Sequence, residues 1–387
     1  MIAPAPVIAL PDGMLRLDVK FVEGMKLHCQ HWEGEVTCLL RSGADNIPFA
    51  GSYHPDELGF DLHVLDRDAP FTFAQLTPGD LIFAGADMVD VLHLADRGQK
   101  PEGVKLVYAI EYDLATRLKI LQLDQTKGVP GKLRSGLWLL QKERLRRTAL
   151  RKCDAIQFNG YPAERAYGHL NKNTILYLDG RVTPDLMATS VEQQDRQAHL
   201  QSGAPLRIVH SGRLEPMKGA QDLIPVAKAL DDAGCGFSLD IFGSGSLSET
   251  IARQIAEHNL SDKVRLHGAV DFEIKLVPFL RQSADVFLSC HRQSDPSCTY
   301  LETLSCGVPI VGYANAMWQE LAKRSNGGWA LPLARPAGLS RQLFALDKDR
   351  GALAAASQQG LAFAKEHAFD AEFAKRMRHL KTVAQQG

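Results

Sequence analysis

Short β-branched or aliphatic runs alternate along this chain with longer stretches in which apolar residues recur at helical spacing. In the first half the runs fall at residues 7–10, 36–40, 81–84 and 104–110, followed by a helix-like stretch at 132–152, a strand-like run at 155–158 and an Asn159-Gly160 turn. A polar stretch at 190–203, SVEQQDRQAHLQSG, has few apolar residues and ends in Ser-Gly ahead of a new apolar run. The joint between two domains is expected there or slightly before it. In the second half strands are expected at 206–210, 238–242, 264–266, 286–289 and 309–312. Helices are expected at 220–233, 247–259, 273–282 and near 300–306, with a helical tail from about 352.

Such alternation marks βαβ units and parallel sheets. The expected fold is α/β, two Rossmann-like doubly wound domains facing a cleft, with ligands at the carboxyl ends of the strands. Domain bounds are set at 1–190 and 191–365, and the helical tail at 366–387 is expected to pack back on the first domain.

Composition narrows the function classes. At 387 residues the chain exceeds one ordinary domain of roughly 100 to 200 residues. With 45% hydrophobic and 23% charged residues and a formal charge of −1, it has a soluble globular make-up, and no nucleic-acid partner is expected. No apolar run reaches the roughly 18 to 20 residues of a membrane span, and the N-terminal stretch lacks a basic region before its short apolar run, so the chain is expected to be neither secreted nor membrane-spanning. Seven widely spread cysteines without a CxxC pair argue against a disulfide framework and a structural zinc site, and for a reducing cytoplasm.

Three loops of the second half can carry chemistry. Ser211-Gly212-Arg213-Leu214-Glu215-Pro216-Met217-Lys218-Gly219 lies between a predicted strand and a predicted helix. Two cations five residues apart, with glycines that let the backbone approach, suit a diphosphate at a helix start. A solvated loop whose charges only solubilise is the competing reading. Ile241-Phe242-Gly243-Ser244-Gly245-Ser246-Leu247 has the GxG of a dinucleotide fingerprint without its third glycine, and reads equally as phosphate contact or as a tight turn. In the third, residues 289–311 (SCHRQSDPSCTYLETLSCGVPIV), a short helix starts near Ser297, Cys298 and Thr299 and carries Glu302 on its first turns. Free amides there suit a phosphate, and Glu302 can accept from two adjacent ribose hydroxyls; the plainer reading is a solubilising acid.

In order and spacing these segments resemble the C-terminal domain of the retaining glycosyltransferases of family 4, the glycosyltransferase group 1 type, which have the GT-B fold. The resemblance is specific from about 206 to 333. In that family a G-R-x-x-x-x-K-G element supplies Arg and Lys to the donor diphosphate, matched here by Arg213 and Lys218. Glu302 with Cys306-Gly307-Val308-Pro309-Ile310-Val311 matches the second half of an E-x7-E element and the turn after it. The first glutamate is missing: Ser294 holds its place, and Asp295 replaces it only if the loop shifts by one residue. Leu266-His267-Gly268 matches a turn near the nucleobase, and Tyr313-Ala314-Asn315 to Glu320 a loop and its acid.

The resemblance implies transfer of a sugar, with retention, from a UDP- or GDP-linked donor to a hydroxyl of a glycan, lipid-linked or small-molecule acceptor. The first domain is then the acceptor domain and the second the donor domain. Family members usually open with a Gly-Gly turn; Gly13, in Pro11-Asp12-Gly13 ahead of a helix expected from about Met14, is placed in that role. Where they often carry a His on the acceptor side, this chain has Glu111. It is expected either to take the acceptor's proton or stabilise oxocarbenium-like charge, or to pair with a cation such as Arg117. Asp113 is a second candidate, and His93 is read as packed in an apolar helical stretch. Catalysis is thus assigned to Glu111, Arg213 and Lys218. Donor binding is assigned to those two cations with Gly13, Gly212, Gly243, His267, Gly268, Asp295, Ser297, Cys298, Thr299 and Glu302. No cofactor beyond the donor is expected. With two cations for the diphosphate and no Asp-x-Asp element placed at a predicted strand end, metal independence is expected.

Residues 132–152 carry eight Lys and Arg against Glu143, a net +7. They read either as a solvated basic helix or as a peripheral contact with an anionic membrane face, Arg144 and Arg151 sharing a side with Leu133, Leu137 and Leu140. Two rival functions are an oxidoreductase using NAD through Gly243 and Gly245, and a nucleotide-sugar-binding protein without chemistry.

Overall fold

The computed structural model describes residues 1–386 other than 44, 45, 48, 49, 74–78, 97, 99 and 125. A first sheet holds β1 (Ile2–Ala9), β2 (Leu15–Asp18), β3 (Thr37–Ser42), β4 (Ala50–Tyr53), β5 (Asp61–Leu65), β6 (Leu81–Gly85), β7 (Lys105–Ile110), β8 (Ala155–Asn159) and β9 (Thr174–Tyr177). Its order is β4-β2-β1-β6-β7-β8-β9, with β3 joining β1 to β5. A second holds β10 (Leu206–Ser211), β11 (Phe237–Phe242), β12 (Val264–Gly268), β13 (Val286–Ser289), β14 (Ile310–Tyr313) and β15 (Gly328–Leu331). All its pairings are parallel, in the order β12-β11-β10-β13-β14-β15. Strand order therefore reverses between β10 and β13, the switch point at which doubly wound sheets open a binding crevice.

The helices are α1 (Val19–His31), α2 (Leu114–Leu123), α3 (Val129–Lys152), α4 (Tyr161–Tyr167), α5 (Ser190–Gln201), α6 (Leu223–Asp232), α7 (Ser248–Glu257), α8 (Val277–Ser283), α9 (Thr299–Ser305), α10 (Ala316–Ser325), α11 (Pro336–Lys348), α12 (Arg350–Glu366) and α13 (Phe369–Gln385). Helices cover both faces of the central parallel strands, so β6, β7, β13 and β14 read as near-continuous apolar runs and not as alternating ones. Leu106, Tyr108, Ile156 and Phe158 anchor one core, and Ile208, Leu223, Leu239, Ile251 and Val311 the other.

Several expectations change. The turn holding Gly13 does not lead into a helix. The Leu10 amide donates to the Met14 carbonyl, and β2 returns antiparallel to β1, so Gly13 sits in the exposed turn of a β hairpin. Leu15 and Leu17 are buried with one polar residue between them, the period of a strand. The Asp66-Arg67-Asp68 element does follow a strand, β5, against the expectation for such elements; all three residues are exposed.

The polar stretch read as a linker is α5, capped by reciprocal bonds between Thr189 and Glu192. Its anchor is a charge. Arg196, 3% exposed, donates to the carbonyls of Ala284, Gly307, Leu280, Arg281 and Cys306 at 2.7–3.1 Å, and burial lowers its pKa to about 10. The chain thus crosses between domains ahead of α5, over residues 178–189. It crosses back between α12 and α13, whose Phe373, Met377, Leu380 and Val383 pack on Phe83, Val107 and Ala155 of the first sheet.

Candidate active site

The carboxyl ends of both sheets face one cleft. From the first domain come the loops after β7, β8 and β9, and from the second those after β10 and β13. Gly160, after β8, lies so close to Pro296 and Met317 that a Cβ there would fall 2.8 Å from the proline ring. Asp179, after β9, takes a long contact of 3.9 Å from the Cys298 thiol.

In the loop after β10 the two cations differ. Arg213 is exposed, and its guanidinium reaches the Met217 thioether at 3.9 Å with no acidic partner among the described residues. Lys218 is buried, its ammonium 2.6 Å from the Asp295 carboxylate. The loop is held by close backbone approach: a Cβ on Gly219 would lie 1.8 Å from the Cys290 carbonyl oxygen. It is also laced to the loop after β11. Leu214 donates to Ser244, Leu247 donates to Leu214, and the Glu215 carboxylate accepts from the Ser246 amide and hydroxyl. A Cβ on Gly243 would meet the Gly212 carbonyl oxygen at 1.9 Å. This packing accounts for the glycines of the GxG element without a dinucleotide, and the loop after the central strand β10, not this one, occupies the switch point.

In the loop after β13, Ser294 and Asp295 turn to different partners. Ser294 accepts from the Ala316 amide at 2.9 Å and so, beside Asn315, caps α10. Asp295 is the carboxylate that turns inward to Lys218, a shift of one residue. Residues 316–320, expected as a loop, are the first turns of α10, and Glu320 pairs with Arg324 on the same helix. At the start of α9 the Ser297 amide donates to the Asp295 carbonyl at 2.8 Å. The Cys298 and Thr299 amides make no bond among the described residues. Glu302, 5% exposed, accepts from Arg181 at 2.6 Å. His267 stacks on Phe242 with ring centroids 4.3 Å apart and shares a hydrogen bond of 2.7 Å with the buried Asp240. Gly268 accepts from the Gly243 amide.

Opposite, Arg117 pairs with Asp87 and not with Glu111. Asp87 also accepts from the Glu111 and Tyr112 amides, which pins the turn after β7. The Glu111 carboxyl is pushed up to about 7. Burial is the main cause, a hydrogen bond with Tyr112 opposes it, and the charges of Asp87, Asp179 and Asp295 add to it. Asp113 accepts from the Thr116 amide as the N-cap of α2 and is structural. His93 is exposed, with its ring on the Phe71 carbonyl, while Val91, Leu92 and Leu94 beside it are buried. Gly13 stays in its exposed hairpin turn and makes no hydrogen bond to these loops among the described residues.

Four residues of the cleft escaped the sequence reading: Asp179, Arg181, His210 and His291. His210 is the next-to-last residue of β10, one residue ahead of the Gly-Arg loop, and that position was its signal. Burial lowers its pKa to about 4 and holds that of His291 well below the ordinary imidazole range, and the charge of Lys218 acts in the same direction on both, which favours the neutral rings. His210 Nε2, both His291 nitrogens and Asp295 Oδ1 are buried without a protein partner among the described residues. Asp179 and Arg181 lie in the crossover, where no local pattern marks them.

Comparison with known proteins bears on the fold. Residues 191–361 match the family model described as glycosyl transferases group 1. The amylovoran biosynthesis glycosyltransferase AmsK of Erwinia amylovora is 29% identical over 140 residues, 33% of this chain and 32% of that relative's length. Anabaena Alr3699/HepE, solved with UDP and glucose, superposes with a TM-score of 0.60 at 16% identity over 99% of this chain and 98% of its own. Sucrose-phosphate synthase from Thermosynechococcus elongatus gives 0.64 at 16% identity over 94% and 92%. The fold is GT-B.

Proposed function

We propose that this chain moves a sugar from a nucleoside diphosphate sugar to an acceptor hydroxyl, with retention at the anomeric carbon. The observation that carries the reading is the placement of Arg213 and Lys218 at the switch point of the second sheet, across the cleft from Glu111. Two relatives support it: HepE was solved with UDP and glucose, and AmsK is named for the synthesis of a polysaccharide.

In this reading the bond between the anomeric carbon and the β-phosphate oxygen breaks while the acceptor oxygen bonds to that carbon on the same face. The electron pair leaves on the diphosphate, whose charge meets Arg213 and Lys218. The Cys298 and Thr299 amides add neutral donors. Glu302 is held by Arg181 through one oxygen, which leaves the other for a ribose hydroxyl. A donor sugar rich in hydroxyls matches the unpaired polar atoms of His210, His291 and Asp295. The proton of the acceptor passes to Glu111, whose affinity for it near neutral pH suits a general base.

Thermal shift with UDP, GDP and NAD tests the donor class: protection by a nucleoside diphosphate and none by NAD is expected. Release of free sugar from the protecting donor, accelerated by an acceptor, separates an enzyme from a binding protein. Turnover is expected to persist in EDTA; a loss restored by manganese contradicts the assignment of diphosphate charge to Arg213 and Lys218.

A further inference from the structure

Residues 129–142 of α3 contain no buried residue, although α3 continues into a well-packed second half around Glu143, Arg146, Ala149 and Leu150. Val129, Leu133, Leu137 and Leu140, spaced four, four and three residues apart, form one ridge on a helix of 3.6 residues per turn. All four are exposed, by 72%, 67%, 70% and 47%. The same ridge continues through Arg144 and Arg151, both exposed, so it changes from apolar to cationic halfway along the helix. Trp138, 49% exposed with the Lys142 ammonium 5.8 Å from its ring, and Leu145 add a second exposed apolar line. Leu118 of the adjoining α2 is exposed as well.

Charge is segregated to the same place. Residues 114–152 hold eleven Lys and Arg against two acids, +9 net, in a chain whose formal charge is −1. An exposed apolar patch of this extent marks a binding surface. A partner that takes both the leucine ridge and the excess of cations is apolar within and anionic outside. We infer that the α2–α3 hairpin docks on an anionic lipid bilayer, the apolar ridge entering between headgroups while Arg144, Arg151 and their neighbours meet the phosphates. Because α2 begins three residues after Glu111 and packs beside the Pro216–Lys218 turn, docking sets the cleft against the membrane. An acceptor carried by a lipid then follows, and that last step alone rests on the transferase reading.

Flotation of the full chain with vesicles tests the surface. At low salt the protein is expected to float with phosphatidylglycerol-containing vesicles and to stay behind with pure phosphatidylcholine. The triple variant Leu133→Glu, Leu137→Glu, Leu140→Glu is expected to lose flotation. Arg144→Gln with Arg151→Gln is expected to weaken it about fivefold per cation. Both variants should keep the thermal shift by UDP, since neither touches the cleft. Equal flotation on both vesicle types, no flotation at low salt, or a triple variant that floats like the parent overturns the proposal. A triple variant that changes a self-associating chain to a monomer, with no vesicle binding in the parent, assigns the ridge to a second copy and overturns it too. If the parent floats while no nucleoside diphosphate shifts its melting, the surface stands and the transferase reading falls.

Discussion

The Lys218 ammonium and the Asp295 carboxylate meet at 2.6 Å inside the second domain, both residues less than a tenth exposed. The candidate diphosphate cation is therefore also half of a buried ion pair. Lys218→Ala leaves a charge without its partner, a loss of about 3–5 kcal/mol in other buried pairs. The variant should melt lower as well as turn over roughly 100- to 1,000-fold more slowly. In Lys218→Ala with Asp295→Asn the melting temperature should largely return and turnover should not. Recovery of both would remove Lys218 from the chemistry.

Glu111 makes a pH prediction. Its carboxyl is held at about 7 in the folded chain, against an ordinary value of 4.5. A base must be ionised, so kcat/KM should rise with pH through a limb near 7, and Glu111→Gln should abolish the limb and slow turnover by roughly 100- to 10,000-fold. For stability the sign is opposite. The folded chain holds this proton more tightly than the unfolded one, so its contribution is present at low pH and declines as pH rises from 4.5 to about 7. Glu111→Gln should accordingly lessen the stability lost between pH 5 and pH 8, read by denaturant melts.

Gly219 has φ of 72° and would place a Cβ 1.8 Å from the Cys290 carbonyl oxygen. Backbone is on the other side of that contact, so no side chain can give way. Gly219→Ala should displace the loop that carries Lys218 and abolish protection by a nucleoside diphosphate in a thermal-shift assay. Retained protection would show that the loop is not a donor contact.

Arg196 closes five carbonyls of the second domain from α5. Arg196→Met keeps the bulk and leaves those acceptors buried, a cost of at least about 3 kcal/mol. A fall in melting temperature of about 6–12 °C follows for a domain of this size. Nucleotide protection should persist below the new transition, since Arg196 touches neither donor loop.

Local pattern was enough for much of this molecule. β7, β8, β10, β11 and β13 lie within a residue or two of where their apolar runs placed them, because strands covered on both faces are buried and mostly apolar, even where a Gln157, His210 or Asp240 interrupts the run. Their carboxyl-end loops, with Arg213, Lys218 and Glu302, were legible for the same reason. α5 was not, since it is held by the buried Arg196 and by Leu200 and not by a broad apolar face. The hairpin at Gly13 depended on strand pairing across the sheet, which a turn signal alone does not specify. Tertiary structure decided which charges meet: that Arg117 goes to Asp87 and leaves Glu111 without a cationic partner among the described residues, that Arg181 reaches Glu302 from the crossover, and that Asp295, not Ser294, faces Lys218. Sequence spacing places a residue on an element. The partner of a charge is set by the packing of elements far apart in the chain, where a shift of one residue in a loop reverses which side chain turns inward.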